Sequence, residues 1–401
     1  MPPRPTAGDK GLKVVISGST GCIREWNMGG QPLLTEGVTP CFFRACIDND
    51  RGGTGGRSYA SRWKAAGLDR MKVVAQSCRL KSEPGEDGSV VVNASFTMRP
   101  DPNMDTIIGQ TAHNLDESQR PMSSSEEQEA PGVPLQEPTD RWLGGRGLGH
   151  IDVGVQYTIR GNGDITTSWQ VDTSKAIPSK LPMFMYRLVP LLFRALGWVL
   201  AKLSLFPHLA GSADRGACWI YRSLPRIGLH FGVPKRCEQV QWYGAGPHEC
   251  YWDRKSGAPA REYSSSVKDM HVPYIVPGEN GGRADVRWGS VQDKDGRGIT
   301  AVSDTQLMQM SVTQYSMSNL SLARHDYELE PDSMNHVYLD HKHMGLGGDD
   351  SWSPSVHEKY TIPPRKYTFK VHLSPHGTGM REQGAAHPRT IWQRLRLLGR
   401  L

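Results

Sequence analysis

The sequence lacks the features that mark several common protein classes. Its seven cysteines are scattered and form no Cys-x-x-Cys pair, which argues against a zinc site and against a dense disulfide framework. No uncharged apolar run reaches the ~18–20 residues that a membrane span requires. The first ten residues contain no apolar stretch of the kind found in secretory signals. We therefore expect reduced thiols, a cytoplasmic location and no membrane-spanning segment.

The chain also has a small net charge and no recognised nucleotide-binding motif. The net charge is only +6 over 401 residues, and the basic residues are not gathered into one run with interleaved aromatic residues. Nucleic acid is therefore not an expected partner. Gly244-Ala-Gly246 lacks the third glycine and the helix of a dinucleotide fingerprint, and neither a phosphate-binding loop nor a Gly-x-Ser-x-Gly nucleophile elbow is present.

Most of the ordered sequence has the alternation of β-strands. Residues 151–159 alternate strictly, Gly161-Asn-Gly163 breaks the run, and residues 165–171 resume it, which predicts a hairpin. Similar runs at 69–99 and from Gly298 to Leu322 predict further strands. Trp63 to Leu68 is the exception, since it predicts a short helix that stops at a glycine. The chain is predicted to be an all-β protein.

Three stretches interrupt this pattern. Residues 100–149 are rich in serine, glutamate and proline and poor in apolar residues, which predicts a disordered insertion. Residues 183–211 are apolar, which predicts a helix, with an interfacial membrane helix as the alternative. Arg187, Arg194 and Lys202 interrupt the apolar run, so it is too short to span a membrane. The last residues, 375–401, form a tail with no assigned function.

The most distinctive stretch is His343-Met-Gly-Leu-Gly-Gly-Asp-Asp-Ser-Trp-Ser-Pro-Ser-Val356. Its glycines permit unusual backbone angles or close approach, and its aspartates can bond neighbouring amides, so a shaped loop is expected. Trp352 lies in the middle of that loop. Its ring is either a platform for a flat, partly apolar ligand such as a sugar, or an anchor that packs the loop onto the core.

Long motifs in this chain resemble the C-terminal region of the large bacterial-type β-galactosidases of glycoside hydrolase family 2. The resemblance is carried by the 343–356 stretch, by Trp242-Tyr-Gly-Ala-Gly-Pro-His-Glu-Cys-Tyr251 with Asp253-Arg254, and by Val272-Pro-Tyr-Ile-Val-Pro-Gly-Glu-Asn-Gly281. Leu33 to Ala45 and Asp48-Asn-Asp50 extend it towards the N-terminus. It implies a large twisted β-sandwich, similar in fold to sugar mutarotases, over residues 11–374 with insertions at 100–149 and 183–222.

The resemblance also assigns roles to individual residues. Trp352 would present its face to the aglycone sugar, and a mobile loop beside the active site would include Asp50, Gly52 and Gly53. The residues implied as the scaffold of the tryptophan loop are His343, Gly347, Gly348, Asp349 and Asp350. Without the resemblance, the glycines after Asp50 are equally well explained as a surface turn.

No catalytic residue is expected in this chain. Glycoside hydrolysis needs two carboxyl groups across the scissile bond, and Glu249 and Glu279 are the acids in well-matched motifs. The resemblance, however, places the acid/base and the nucleophile on a (β/α)₈ barrel outside this chain. We therefore predict that both glutamates are structural and pair with Arg254, Arg283 or backbone amides.

No metal or cofactor is expected in this chain either. The magnesium and sodium ions of the resembled family are implied for the barrel. His271, His341 and His343 lack the carboxylate or cysteine spacing of a metal site, so structural or solvent-exposed histidines are expected.

The functional prediction is a domain or small chain that completes the site for hydrolysis of terminal β-D-galactosides but is inactive alone. Its expected partners are the galactoside and a barrel-bearing large chain or upstream domains, in an oligomeric enzyme. Two other functions remain open. One is a stand-alone carbohydrate-binding module, and the other is a mutarotase-like aldose epimerase that would use His248 or His271 with Glu279.

Overall fold

The computed structural model describes residues 11–52, 58–81, 88–105, 149–177, 222–304, 306–350 and 355–376. Nearly all of both predicted insertions lies outside the described residues, as does the tail from residue 377. The prediction of a helix at 183–211 falls there too. Within the described ranges, no helix is long and apolar enough to cross a membrane.

The described residues are mostly β-strands with four short α-helices. The strands are β1 Leu12–Ile16, β2 Ile23–Met28, β3 Gln31–Pro32, β4 Glu36–Cys41, β5 Met71–Leu80, β6 Val90–Pro100, β7 Ile151–Ile159, β8 Ile165–Asp172, β9 Arg226–Pro234, β10 Gln239–Ala245, β11 Ala260–Ser266, β12 Arg283–Val286, β13 Trp288–Gln292, β14 Gly298–Ser303, β15 Met308–Thr313, β16 Met334–His343 and β17 Lys366–His376. The helices are α1 Asp48–Arg51, α2 Tyr59–Ala66, α3 Val267–Met270 and α4 Met317–Leu322.

These strands form two antiparallel sheets. The first sheet has the order β1-β2-β4-β9-β16-β15-β12, with β3 paired to β2, and the second has the order β11-β10-β13-β14-β17-β8-β7-β6-β5. Side chains from both sheets meet in one core cluster, which includes Trp26 and Phe231 of the first sheet and Phe96 and Trp169 of the second. Two sheets that bury their inner faces against each other form a β-sandwich. The predicted fold class is confirmed.

The predicted hairpin is present as β7 and β8. Ile159 pairs with Ile165, and Gly163 in the turn adopts a φ of +93°, which suits glycine. Alternate residues of β7 are buried, as the alternation requires. On β8, Trp169 stacks on Phe369 with ring centroids 6.2 Å apart, so the inward face of the hairpin joins the core.

The helices both confirm and correct the sequence predictions. Helix α2 ends at Gly67, as predicted, and Gly67 has a left-handed φ of +73°. The prediction of strands as far as Leu322 is wrong, because residues 317–322 form α4. Ser316 caps that helix by accepting a hydrogen bond from the Asn319 amide, a local interaction that ends the strand pattern.

Candidate functional site

The two segments predicted to lie beside the site are brought together at one end of the first sheet. Arg44 donates from Nη1 to the carbonyl of Met344 over 2.6 Å and from Nη2 to the carbonyl of Gly345 over 3.2 Å. Asn49 donates to the carbonyl of Leu346 over 2.7 Å. Residues 44–50 therefore hold the beginning of the 343–356 loop through three hydrogen bonds.

Asp50 fixes the guanidinium that makes those contacts. Asp50 and Arg44 are completely buried, and they pair through Nη2–Oδ1 at 2.7 Å and Nε–Oδ2 at 3.1 Å. This two-point geometry orients the planar guanidinium. Burial would by itself lower the pKa of Arg44, but the adjacent carboxylate outweighs burial and raises it, so Arg44 is charged at every working pH.

The glycines after Asp50 are only partly described. Gly52 closes helix α1, and its amide donates to the carbonyl of Asp48 over 2.8 Å. Gly53 lies outside the described residues, so the predicted mobile loop is represented by Asp50 and Gly52 alone.

Asp253 supports the glycine-rich part of the loop. Its Oδ2 accepts a hydrogen bond from the amide of Gly347 over 2.6 Å. A Cβ at Gly345 would lie 2.8 Å from the same oxygen, so only glycine fits there without displacement. The amide of Gly345 also donates to the carbonyl of Tyr360 over 2.9 Å. The loop is thus supported from two sides.

The far end of the described loop is closed by residues that follow it. The Asp349 amide donates to Ser355 Oγ over 3.2 Å, and the Asp349 carboxylate lies 2.8 Å from Nε2 of His357. A Cβ at Gly348 would lie 2.4 Å from Ser355 Oγ. Asp350 is half-buried and is the last residue described before the gap. Trp352 lies outside the described residues.

A buried ionic cluster lies beneath the loop. His343, the last residue of β16, is buried, and its Nε2 lies 3.6 Å from Glu279 Oε1. Glu279 Oε2 accepts a 2.9 Å bond from Arg226, and Asp340 lies 3.5 Å from the same guanidinium nitrogen. Tyr251 donates to Glu279 over 3.4 Å. One buried cation therefore serves two carboxyl groups.

The two acids of this cluster differ in protonation. Burial opposes ionisation of Glu279, but Arg226 outweighs it and lowers the pKa of Glu279 to about 2. Burial raises the pKa of Asp340 to about 7 despite the attraction of Arg226. Burial lowers the pKa of His343 to about 4, so its ring is neutral near pH 7. Glu279 is therefore a buried carboxylate with no proton to donate at neutral pH.

The pairing predicted for the two glutamates is right for one and wrong for the other. Glu249 pairs with Arg254, as predicted, and also accepts from the Gly281 amide over 2.8 Å. Glu279 pairs with Arg226 instead of Arg283. Arg283 donates to the carbonyls of Gly281 and Gly282, and its guanidinium lies 5.1 Å from the ring of Trp242. Its donors are thus directed to backbone oxygens.

The histidines considered for an epimerase do not face Glu279. His271 lies 2.7 Å from Asp326, and His248 is exposed. The histidine that contacts Glu279 is His343. His341 contacts Gln306.

Sequence reasoning did not single out Arg44, Asn49 and Asp253 as loop supports. Arg44 carried a signal, because it stands inside the apolar stretch Cys41-Phe-Phe-Arg-Ala-Cys46. A charged residue in such a run is buried only when it is paired. The group Glu36, His230 and His336 was missed as well, because its members come from three separate strands.

Comparisons with known proteins agree with the β-galactosidase resemblance of the sequence motifs. The family model of the β-galactosidase small chain matches residues 8–373. The β-galactosidase of Vibrio cholerae is 27% identical over 359 residues, which are 88% of this chain and 25% of that protein. The enzyme of Psychromonas ingrahamii is 42% identical over 151 residues, which are 38% of this chain and 14% of that protein. The chain thus spans a quarter or less of these relatives.

Solved structures give a weaker likeness. A galactose 1-epimerase from Lactobacillus acidophilus is 6% identical and has a TM-score of 0.41, with 92% of this chain and 93% of that chain covered. A glycoside hydrolase family 97 enzyme from a Pseudoalteromonas strain has a TM-score of 0.31, with 91% and 34% covered. These scores are too low to bear on function. The family match, in contrast, spans nearly the whole sequence, and the chain belongs to the β-galactosidase small-chain family.

Proposed function

We propose that this chain completes the carbohydrate-binding site of a β-galactosidase whose catalytic carboxylates lie in another part of the enzyme. The observation that carries the proposal is the clamp formed by Arg44 and Asn49, whose three hydrogen bonds hold the carbonyls of residues 344–346. A loop held by a buried charged pair is preorganised, and preorganisation lowers the entropic cost of ligand binding. In the sequence, Trp352 lies six residues after Leu346.

The contacts of Glu249 and Glu279, the two glutamates considered for catalysis, support a non-catalytic role. Glu279 is buried, ionised and paired with Arg226, and Glu249 is engaged by Arg254, Tyr274 and the Gly281 amide. A retaining glycosidase needs one carboxyl that holds a proton and one that attacks the sugar. Neither glutamate meets these needs, which is why we assign the chemistry to a partner.

An exposed apolar segment offers a surface for that partner. Ile275 is 81% exposed, and its neighbours Tyr274 and Val276 are also exposed. The segment continues into Glu279, whose amide donates to the carbonyl of Ala45 over 3.1 Å, so it lies beside the clamp. Because the chain spans a quarter or less of its relatives, we assign this surface to the barrel-bearing remainder of the enzyme.

The cellular setting we propose is the cytoplasm, within an oligomeric enzyme. The described cysteines are all free, and four of the six are buried. Burial raises the pKa of Cys22 to about 12, so that thiol is unreactive. Free, buried thiols are typical of a reducing compartment.

Complementation tests the proposal. The Vibrio cholerae enzyme would be shortened by the quarter that matches this chain, and nitrophenyl galactoside hydrolysis measured for each part and for the mixture. We expect activity only in the mixture. Hydrolysis by the pure chain alone, abolished in Glu279→Gln, would show that the catalytic site lies here instead. Mutarotation of galactose by the pure chain, followed by polarimetry, would favour the epimerase alternative.

Trp352 is tested in the same complemented enzyme. Trp352→Ala should raise KM several-fold and alter the preference among aglycone sugars, because stacking on an aromatic ring contributes about 1 kcal/mol. Trp352→Phe keeps an aromatic face and should retain most of the affinity. If Trp352→Ala leaves KM and aglycone preference unchanged, the ring is not a sugar platform.

A further inference from the structure

Three potential metal ligands meet on neighbouring strands of the first sheet. Glu36 is the first residue of β4, His230 lies on β9 and His336 lies on β16. One ligand atom from each lies within 4.8 Å of the other two. The group lies on strands β4, β9 and β16. The loop that follows His343, and Arg44 that holds it, lie at the opposite ends of these strands.

The strand register places the three side chains on one face. Gly232 pairs with Glu36 on one side and with His336 on the other. His230 precedes Gly232 by two residues, so both occupy the same face of the sheet. A Cβ at Gly232 would lie 2.4 Å from Met334 Sδ and 2.8 Å from Glu36 Cβ, so the glycine leaves room for both of these side chains.

The distances suit a small divalent ion. His230 Nε2 and His336 Nδ1 are 3.1 Å apart, close to the roughly 3.3 Å that separates two ligands of a tetrahedral zinc ion with bonds near 2.0–2.1 Å. Glu36 lies nearer the other ring nitrogen of His230, with Oε1 4.0 Å from Nδ1, and one of its oxygens lies within 4.8 Å of the ligand nitrogens of the two histidines. Its carboxylate must therefore turn to reach an ion bound at His230 Nε2. Its side chain is 46% exposed, so it can rotate to shorten its distance to the ion.

Asp332 holds His336 in the orientation that a metal requires. Its Oδ2 lies 3.1 Å from Nε2 of His336. A carboxylate accepts the proton on Nε2, which leaves the lone pair of Nδ1 directed at the site. Carboxylate, histidine and metal in this sequence form a recurring arrangement at zinc sites.

The charges around the site favour a cation. Arg226 opposes a cation from a distance, whereas Glu36 and Asp332 supply two negative charges. Tyr338 packs against His230 at 4.7 Å between ring centroids and shields that side.

We propose that Glu36, His230 and His336 bind one zinc ion, with Asp332 as a positioning residue. Two imidazoles and one carboxylate are a ligand set that zinc accepts, with the fourth position left to water. In the ion-free form His230 Nε2 donates to His336 Nδ1; an ion bound at Nε2 would require the neutral His230 ring to carry its proton on Nδ1 instead, so no proton leaves the ring. The ion links β4, β9 and β16. This inference is independent of the proposed sugar site.

The test uses the full chain without a histidine tag. Zinc binding is followed by calorimetry and by metal analysis after dialysis, and cobalt replaces zinc for absorption spectroscopy. We expect one ion per chain with micromolar or tighter affinity, and the intense visible bands of a four-coordinate cobalt site. Zinc should also raise the unfolding temperature in proportion to the logarithm of its concentration.

Matched variants separate this site from adventitious binding. His230→Gln, His336→Gln and Glu36→Gln should each weaken zinc binding at least tenfold, and Asp332→Asn should weaken it 10–100-fold while keeping the cobalt bands. His325→Gln is the control, because that exposed histidine is not one of the proposed ligands and contacts Glu328 and Tyr327. Glu36 is half-exposed, so its variant tests the site even if a histidine variant fails to fold. Wild-type affinity in Glu36→Gln, or no zinc binding by the wild-type chain, overturns the proposal.

Discussion

Arg44 is the residue on which the candidate site depends. It is buried with Asp50 and donates to two carbonyls of the 343–346 segment. Arg44→Met leaves the Asp50 carboxylate buried without a cation, and removal of one partner of a buried pair costs about 3–5 kcal/mol. We expect urea denaturation to show a loss of that size.

An exposed arginine provides the control. Arg24 pairs with Glu25 on β2, and its side chain is 67% exposed. Exposed ion pairs contribute about 0–1 kcal/mol, so Arg24→Met should have little effect. Equal losses in the two variants would show that burial of Arg44 does not make its pair special.

At the same scale, the sequence predicted which residues matter better than it predicted their partners. The acids Glu249 and Glu279 were identified from motifs, and the Arg254 partner of Glu249 is only five residues away. Arg226, the partner of Glu279, is 53 residues away and reaches it only through the folded sheet. Neither periodicity nor motif spacing encodes such a contact.

Among elements, those fixed by local rules were predictable. The β7–β8 hairpin follows from alternation around a glycine turn, and the end of α2 follows from Gly67. Helix α4 was missed because its start depends on the single Ser316 cap rather than on apolar periodicity. The order of strands within the sheets could not be predicted from residues alone, because it joins strands far apart in the chain.

The α2 terminus gives a prediction at this scale. Gly67 has a φ of +73°, and a Cβ there would lie 2.4 Å from Pro100 Cγ at the end of β6. Gly67→Ala should therefore combine left-handed strain of about 1–2 kcal/mol with overpacking of about 1–3 kcal/mol. Thermal and urea unfolding would measure the sum.

A substitution at Gly29 separates the backbone strain from the overpacking. Its φ is +59°, but nothing lies within 4 Å of a Cβ placed there. Gly29→Ala should show the strain alone, at about 1–2 kcal/mol. If Gly67→Ala is no more destabilising than Gly29→Ala, the close approach of Pro100 to Gly67 does not exclude a Cβ at this position.

For the whole molecule, buried histidines set the response to acid. Burial lowers the pKa of His343 and His341 to about 4 and that of His230 to about 3. Each folded pKa is below the unfolded value near 6.5, so their stabilisation is present above pH 6.5 and is lost as pH falls through about 4. Asp340, with its pKa raised to about 7, acts in the opposite direction over the same window.

Among the described residues, histidines with a lowered pKa outnumber acids with a raised pKa, so unfolding takes up net protons between pH 6.5 and 4. Each net proton taken up corresponds to a slope of roughly 1.4 kcal/mol per pH unit. Urea unfolding across this window should show that the free energy of unfolding falls as the pH is lowered. His341→Gln should reduce the slope by the contribution of about one proton. A flat profile, or one unaffected by His341→Gln, would contradict the assignment. Glu279 adds a further loss only below its unfolded value near 4.5.

Under the proposed function, we expect assembly of the complete enzyme to depend on the surface around Ile275. An exposed isoleucine between Tyr274 and Val276 would bury apolar area against the barrel-bearing part, and Ile275→Asp would place a charge in that interface. Because Ile275 is 81% exposed in this chain, the variant should keep its unfolding temperature but restore much less activity in the complementation assay. Leu80, 60% exposed on β5 at the edge of the other sheet, supplies the matched control. Full complementation by Ile275→Asp, or equal losses in Leu80→Asp, would place the docking surface elsewhere on the chain.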